Sequence, residues 1–129
     1  MNPQQLELRA DIFRAFAATG APPEVPDSPE LRELEARHVV VLDERARIRT
    51  AHPFAAHEDG ARVDADGRTW WGNCAWDGFG IVHALGLAEA TITAQGIEVH
   101  TQDGVPGPTD AVFAVAVPAA HWWDDIGHT

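Results

Sequence analysis

Two hairpin signals bracket one helix-length segment, and that pattern limits the fold more than any other feature of the chain. Arg62-Val63 and Arg68 to Trp71 are β-prone and flank Asp64-Ala65-Asp66-Gly67. An Asp-Gly pair between such runs marks a tight turn. Thr91 to Ala94 and Ile97 to Thr101 repeat the arrangement about Gln95-Gly96. Between the hairpins, Ala75, Phe79, Val82 and Leu85 recur at helical spacing, which predicts a helix over 73–85 with Asn73 as its cap and Gly86 as its stop. Asp103 to Asp110 reads as a Gly/Pro loop, and the nearly continuous apolar run Ala111 to Val117 as a central strand. The expected class is α+β: a compact core with a mixed or antiparallel sheet and one helix.

Residues 1–50 read as a separate helical leader, and residues 51–129 as the core domain. In the leader, Leu8, Ile12 and Phe16 lie at i, i+4 and i+8, with Phe13 and Ala17 beside them, forming one apolar helix face ended by Gly20, Pro22 and Pro23. Asp27 or Ser28 caps a second helix that has Pro29 in its first turn and Leu31 and Leu34 as its buried stripe. Val39 to Leu42 and Arg47 to Thr50 then form a short hairpin about Asp43 to Ala46. Helix, helix and hairpin in that order suggest a small winged-helix-like module. Its second helix carries Glu30, Glu33 and Glu35 against Arg32, Arg37 and His38, which is not the basic face of a DNA reader.

Charge supports the same exclusion. The 129 residues hold 9 basic and 20 acidic side chains, a net charge of −11, so neither nucleic acid nor an anionic membrane is the expected partner. No apolar run approaches the roughly 18 residues of a membrane span, and the N-terminus lacks the basic-then-apolar pattern of a signal peptide. A single cysteine cannot form an internal disulfide, so the expected compartment is the reducing cytoplasm.

The chemistry concentrates in Trp70-Trp71-Gly72-Asn73-Cys74-Ala75-Trp76-Asp77-Gly78-Phe79-Gly80. On a helix, Cys74 and Asp77 share one face. Cys74 falls where unpaired N–H groups and the helix dipole favour a thiolate, the preferred ligand of a soft metal. If Trp76, Phe79 and the Trp70-Trp71 pair keep Asp77 dry, desolvation raises its pKa and lets it hold a proton near neutral pH. Sulfur that takes a metal beside an acid that protonates carbon is what cleavage of a carbon–metal bond requires. A lone cysteine is more often a small buried hydrophobe, however, and Cys-x-x-Asp recurs by chance. Spacing alone therefore leaves both readings open. His57, beside Glu58 and Asp59, reads as solvated loop. His38, His83 and His100 have no evident partner, and His52, His121 and His128 are within reach of the site only as weaker, harder donors.

Ala51-His52-Pro53-Phe54, Arg68-Thr69-Trp70-Trp71, Asn73-Cys74-Ala75-Trp76-Asp77, Gly80-Ile81 and Leu85-Gly86 together resemble the organomercurial (alkylmercury) lyase family. Val117-Pro118 and Trp122-Trp123-Asp124-Asp125-Ile126 are similar to its C-terminal region. The resemblance implies protonolysis of R–Hg⁺ to R–H and Hg²⁺, as in mercury resistance, without an organic cofactor. It implies Cys74 as the mercury-binding catalytic cysteine and Asp77 as the proton donor. The family's second catalytic cysteine is expected just beyond Thr129, where the sequence ends, and a further structural cysteine that some members carry near Gln95 is absent. That predicts an external small thiol, or a mercury-accepting protein, as the second sulfur. A shortened or degenerate relative, or a reading frame ended at a codon recoded for selenocysteine, would account for the endpoint. A non-catalytic soft-metal binder of the same fold and a winged-helix regulator are the competing functions. Trp122 and Trp123 would expose apolar area if a further segment normally covers them, which leaves a homodimer open.

Overall fold

The computed structural model describes residues 1–108. The expectations for 111–117 and for His121, Trp122, Trp123 and His128 lie outside the described residues. In chain order the elements are α1 (Pro3–Thr19), α2 (Pro29–Ala36), β1 (Val41–Leu42), β2 (Ile48–Ala51), β3 (Phe54–Ala55), β4 (Ala61–Ala65), β5 (Arg68–Gly72), α3 (Ala75–Leu85), β6 (Glu89–Ala94), β7 (Ile97–Gln102) and β8 (Val105–Pro106). The class is α+β, with three helices and two sheets among the described residues. Every strand pairing among the described residues is antiparallel.

Helix α1 opens on a capping box: the Asn2 side chain accepts from the Gln5 N–H, and the Gln5 side chain accepts from the Asn2 N–H. It ends where Gly20 turns left-handed at φ 76°. For α2, Ser28 is the cap, accepting from the Leu31 N–H, while Asp27 pairs with Arg32 at 2.9 Å. Strands β1 and β2 form the expected hairpin. A third strand that the sequence did not announce, β3, folds back on β2 with Ala51 opposite Phe54. Phe54 stacks on Phe16 of α1, with ring centroids 5.3 Å apart, so the small sheet is pinned to the helix by aromatic contact.

The larger sheet has the order β5-β4-β6-β7-β8. Strand β4 pairs with β5 on one side and β6 on the other, and α3 carries the chain from β5 to β6 across the β4 strand between them. Its turns sit at Asp66-Gly67 and Gln95-Gly96, each with both residues at positive φ, as two-residue hairpins need. The first turn is tighter than expected, because the strands run in to Ala65 and Arg68. Within the expected loop 103–110, Asp103-Gly104 makes a similar turn and Val105–Pro106 pairs with β7.

One face of this sheet is buried through Ala61, Val63, Ala65, Trp70, Ala90 and Ile92. Helix α3 lies on that face, and Gly78 comes so close that an added Cβ would stand 2.8 Å from Ile92 Cγ2. The leader shares this core: Ile12, Phe16, Leu31 and Leu34 cluster with Val63, Trp70 and Ile81. Polar contacts reinforce the junction. Trp70 Nε1 and Arg68 Nη2 both donate to the Ala17 carbonyl, at 2.9 and 2.7 Å, and Arg68 Nη2 also donates to the Ala18 carbonyl. The last carbonyls of a helix lack partners within it, and these side chains supply them.

Candidate functional site

The site forms where β5 ends and α3 begins. Cys74 is the N-cap of α3, with extended backbone at φ −149° and ψ 176°, and its carbonyl accepts the first helical hydrogen bond from the Gly78 N–H at 3.1 Å. The expected cap, Asn73, stands one residue earlier and does other work. Its N–H donates to Asp77 Oδ2 at 3.1 Å, and its Oδ1 meets His57 Nε2. Asp77 is thus at the third helical position, reaching back across the turn that carries Cys74. The two predicted site residues share this turn as cap and third residue, rather than as two positions on a helical face.

Cys74 is half-buried. Burial pushes its thiol above the ordinary cysteine range. The Asp77 and Trp76 N–H groups pull the other way, and the Asp77 carboxylate adds to the upward push. No capping hydrogen bond closes on the sulfur, so the two amides act as weak dipoles, and desolvation outweighs them. Burial thus works against the expected dipole-stabilised thiolate. Iodoacetamide is expected to modify native Cys74 more slowly at pH 8 than the same residue in urea-unfolded chain. The pH midpoint of the native reaction is expected to lie above that of the unfolded one, as followed by mass spectrometry.

Asp77 has a side chain only 19% exposed. Trp70 sends its indole N–H to Ala17 of α1, and Trp76 is 56% exposed. The close neighbours of Asp77 are backbone and imidazole: the Asn73 N–H, Gly72, and His52 with its Nδ1 3.7 Å from Oδ2. A Cβ on Gly72 would come within 2.6 Å of Asp77 Cβ and 3.1 Å of the Pro53 carbonyl oxygen. Gly72→Ala is accordingly expected to destabilise the fold by about 1–3 kcal/mol through overpacking, seen as a lower urea midpoint without change in slope.

His57 corrects another expectation. Its side chain is only 14% exposed rather than solvated. Its Nδ1 accepts from the Asp59 N–H, which makes Nε2 the donor to Asn73 Oδ1. His57 therefore holds the residue that in turn holds Asp77. His52 was expected within reach of the site only as a weaker donor, and its Nδ1 lies 3.7 Å from Asp77 Oδ2. It stands there because β2 and β3 close a tight turn around His52 and Pro53, a long-range placement that no local spacing encodes. His100 lies on the other face of the sheet, with its Nδ1 2.9 Å from Thr91 Oγ1, and His83 lies against Gly104; neither approaches this turn's hydrogen-bond network. Among the described residues, no group of three or more His, Cys, Asp or Glu side chains is arranged to hold a metal ion. Cys74 is the soft donor at hand.

The family model for MerB, alkylmercury lyase, matches residues 54–129, a stretch that takes in β3, the larger sheet, α3, Cys74 and Asp77. No curated protein and no solved structure matches the chain. With more than half of its length inside that model, and with the cysteine and the aspartate of one helix start both inside it, the chain belongs to the alkylmercury lyase family.

Proposed function

We propose that the protein cleaves the carbon–mercury bond of an organomercurial by protonolysis, with Cys74 as mercury ligand and Asp77 as acid. The observation that carries this reading is that Cys74 and Asp77 occupy one helix-capping turn within the family-matched stretch. Cys74 exchanges onto the mercury of R–Hg–X, forming the S–Hg bond as X leaves and the thiol proton passes to the Asp77 carboxylate. Mercury is acidic enough toward sulfur to drive that deprotonation even from a raised pKa. The carboxylic acid of Asp77 then gives its proton to the carbon as the C–Hg bond breaks. R–H departs, Hg²⁺ stays on sulfur, and Asp77 is left as carboxylate.

One cysteine in 129 residues supplies one sulfur, and Hg²⁺ is held far better by two. A small external thiol, or a mercury-accepting protein, completes the coordination and carries the product away. No helix among the described residues is long and apolar enough to cross a membrane. The purified protein, incubated with an organomercurial and excess small thiol, is expected to release hydrocarbon into the headspace. Stoichiometric mercury uptake without hydrocarbon would replace this reading by the non-catalytic binder.

A further inference from the structure

Asp77 must present its proton to carbon from one of two carboxyl oxygens, and the surroundings of the two are unequal. Oδ2 accepts the Asn73 N–H at 3.1 Å and faces His52 Nδ1 at 3.7 Å. Both contacts among the described residues fall on this oxygen. A protonated carboxyl has one carbonyl oxygen, with two lone pairs for two donors, and one hydroxyl oxygen that donates. With the Asn73 N–H bonded to Oδ2 and an imidazole nitrogen facing the same atom, Oδ2 is the oxygen suited to be the carbonyl, which leaves the acid proton to Oδ1.

His52 is held there by built-in close packing. Its neighbour Pro53 fits against two glycines: the Pro53 carbonyl oxygen lies 3.1 Å from where a Cβ of Gly72 would stand, and Pro53 Cβ lies 3.1 Å from where that of Gly80 would stand. Gly72 ends β5 and Gly80 lies on α3, so the β2–β3 turn is seated against both elements that frame Asp77. The separation of 3.7 Å exceeds a formed hydrogen bond, and such contacts tighten when substrate is bound. Residue 52 precedes the family-matched stretch, which begins at residue 54, so nothing in that match assigns it a role.

We infer that His52 is a positioning residue for the protonolysis: as the Nδ1–H tautomer it donates to Asp77 Oδ2, fixes the carboxyl rotamer, and keeps the transferable proton on Oδ1. This rests on the lyase reading above. No proton passes through His52; it orients the group that supplies one and stabilises the carboxylate left behind. The other imidazole of the neighbourhood, His57, is engaged with Asn73 and Asp59 and acts one residue further back.

The side chains that replace imidazole make the test specific. Asparagine places an N–H donor near the position of Nδ1, glutamine near that of Nε2, and alanine places none. His52→Ala and His52→Gln are expected to lower the hydrocarbon-release rate at saturating organomercurial on the order of tenfold to a hundredfold, with KM and mercury uptake unchanged. His52→Asn is expected to recover most of that rate. A merely structural role would rank the three variants by thermal stability instead. Independently of turnover, ¹⁵N-resolved spectra of the neutral imidazole are expected to show His52 as the Nδ1–H tautomer, against the Nε2–H preference of free histidine. An Nε2–H tautomer, or an alanine variant as fast as wild type, overturns the proposal and leaves the lyase reading standing. Wild-type protein that takes up mercury and releases no hydrocarbon overturns both.

Discussion

Cys74→Ser is expected to reduce mercury uptake from one equivalent per chain to none. Cys74 is the one cysteine of the 129 residues, and a hydroxyl is too hard and too weakly acidic a ligand to retain a soft cation against competing small thiols. The measurement is mercury content per protein after desalting in the presence of such a thiol. Loss of uptake through unfolding is separable, because the substitution suits the backbone. Residue 74 is the N-cap of α3, in extended conformation, with no capping hydrogen bond from its sulfur. Serine is among the preferred N-cap residues, and a formed cap contributes about 0.5–2 kcal/mol. The variant is therefore expected to melt at or above the wild-type temperature while binding no mercury. Tight, thiol-resistant uptake by a well-folded serine variant would place the mercury site elsewhere and end the assignment of Cys74.

That the cap is a cysteine also explains what the sequence could and could not convey about this site. Periodicity over 73–85 located the helix, and the Gln95-Gly96 and Asp66-Gly67 signals located the strands around it, because local dihedral preferences and apolar spacing act over a few residues. The one-residue shift of the cap from Asn73 to Cys74 followed from competition that spacing cannot show: Asn73 is drawn into bonds with Asp77 and His57. The electrostatic expectation for Cys74 failed for a related reason. Helix dipoles are readable from position in the sequence, whereas burial depends on what folds over the residue, and here burial is the larger effect. The aromatic cluster around residue 70 was likewise visible, but not its direction. Alternation along β5 sends Trp70 toward α1, while a glycine, a backbone N–H and a histidine from the small sheet come close to Asp77. Strand β3 and the turn that delivers His52 rest on contacts with Phe16 and Gly72, both remote in sequence.

Asp77→Asn is expected to keep mercury uptake and lose protonolysis, by a factor on the order of 10² to 10⁴, the usual contribution of a positioned acid. The amide matches the carboxyl in shape, and its oxygen can still accept the Asn73 N–H that Oδ2 accepts now, so the turn that presents Cys74 is retained. What the amide lacks is a transferable proton of suitable acidity. The same substitution makes a second prediction of opposite sign. The Asp77 carboxylate pushes the Cys74 thiol upward, so removing the charge lowers the thiol pKa and enlarges the thiolate fraction at any pH below it. Alkylation of Cys74 at pH 8 is thus expected to be faster in Asp77→Asn than in wild type, while hydrocarbon release falls. A general loosening of the site would speed alkylation but weaken uptake. A loss of folding would give an alkylation rate equal to that of the unfolded chain. Only a carboxyl that both repels the thiolate and supplies the proton gives faster sulfur, unchanged uptake and lost turnover in a single variant. If hydrocarbon release survives the change, the proton comes from another group and Asp77 serves the capping turn alone.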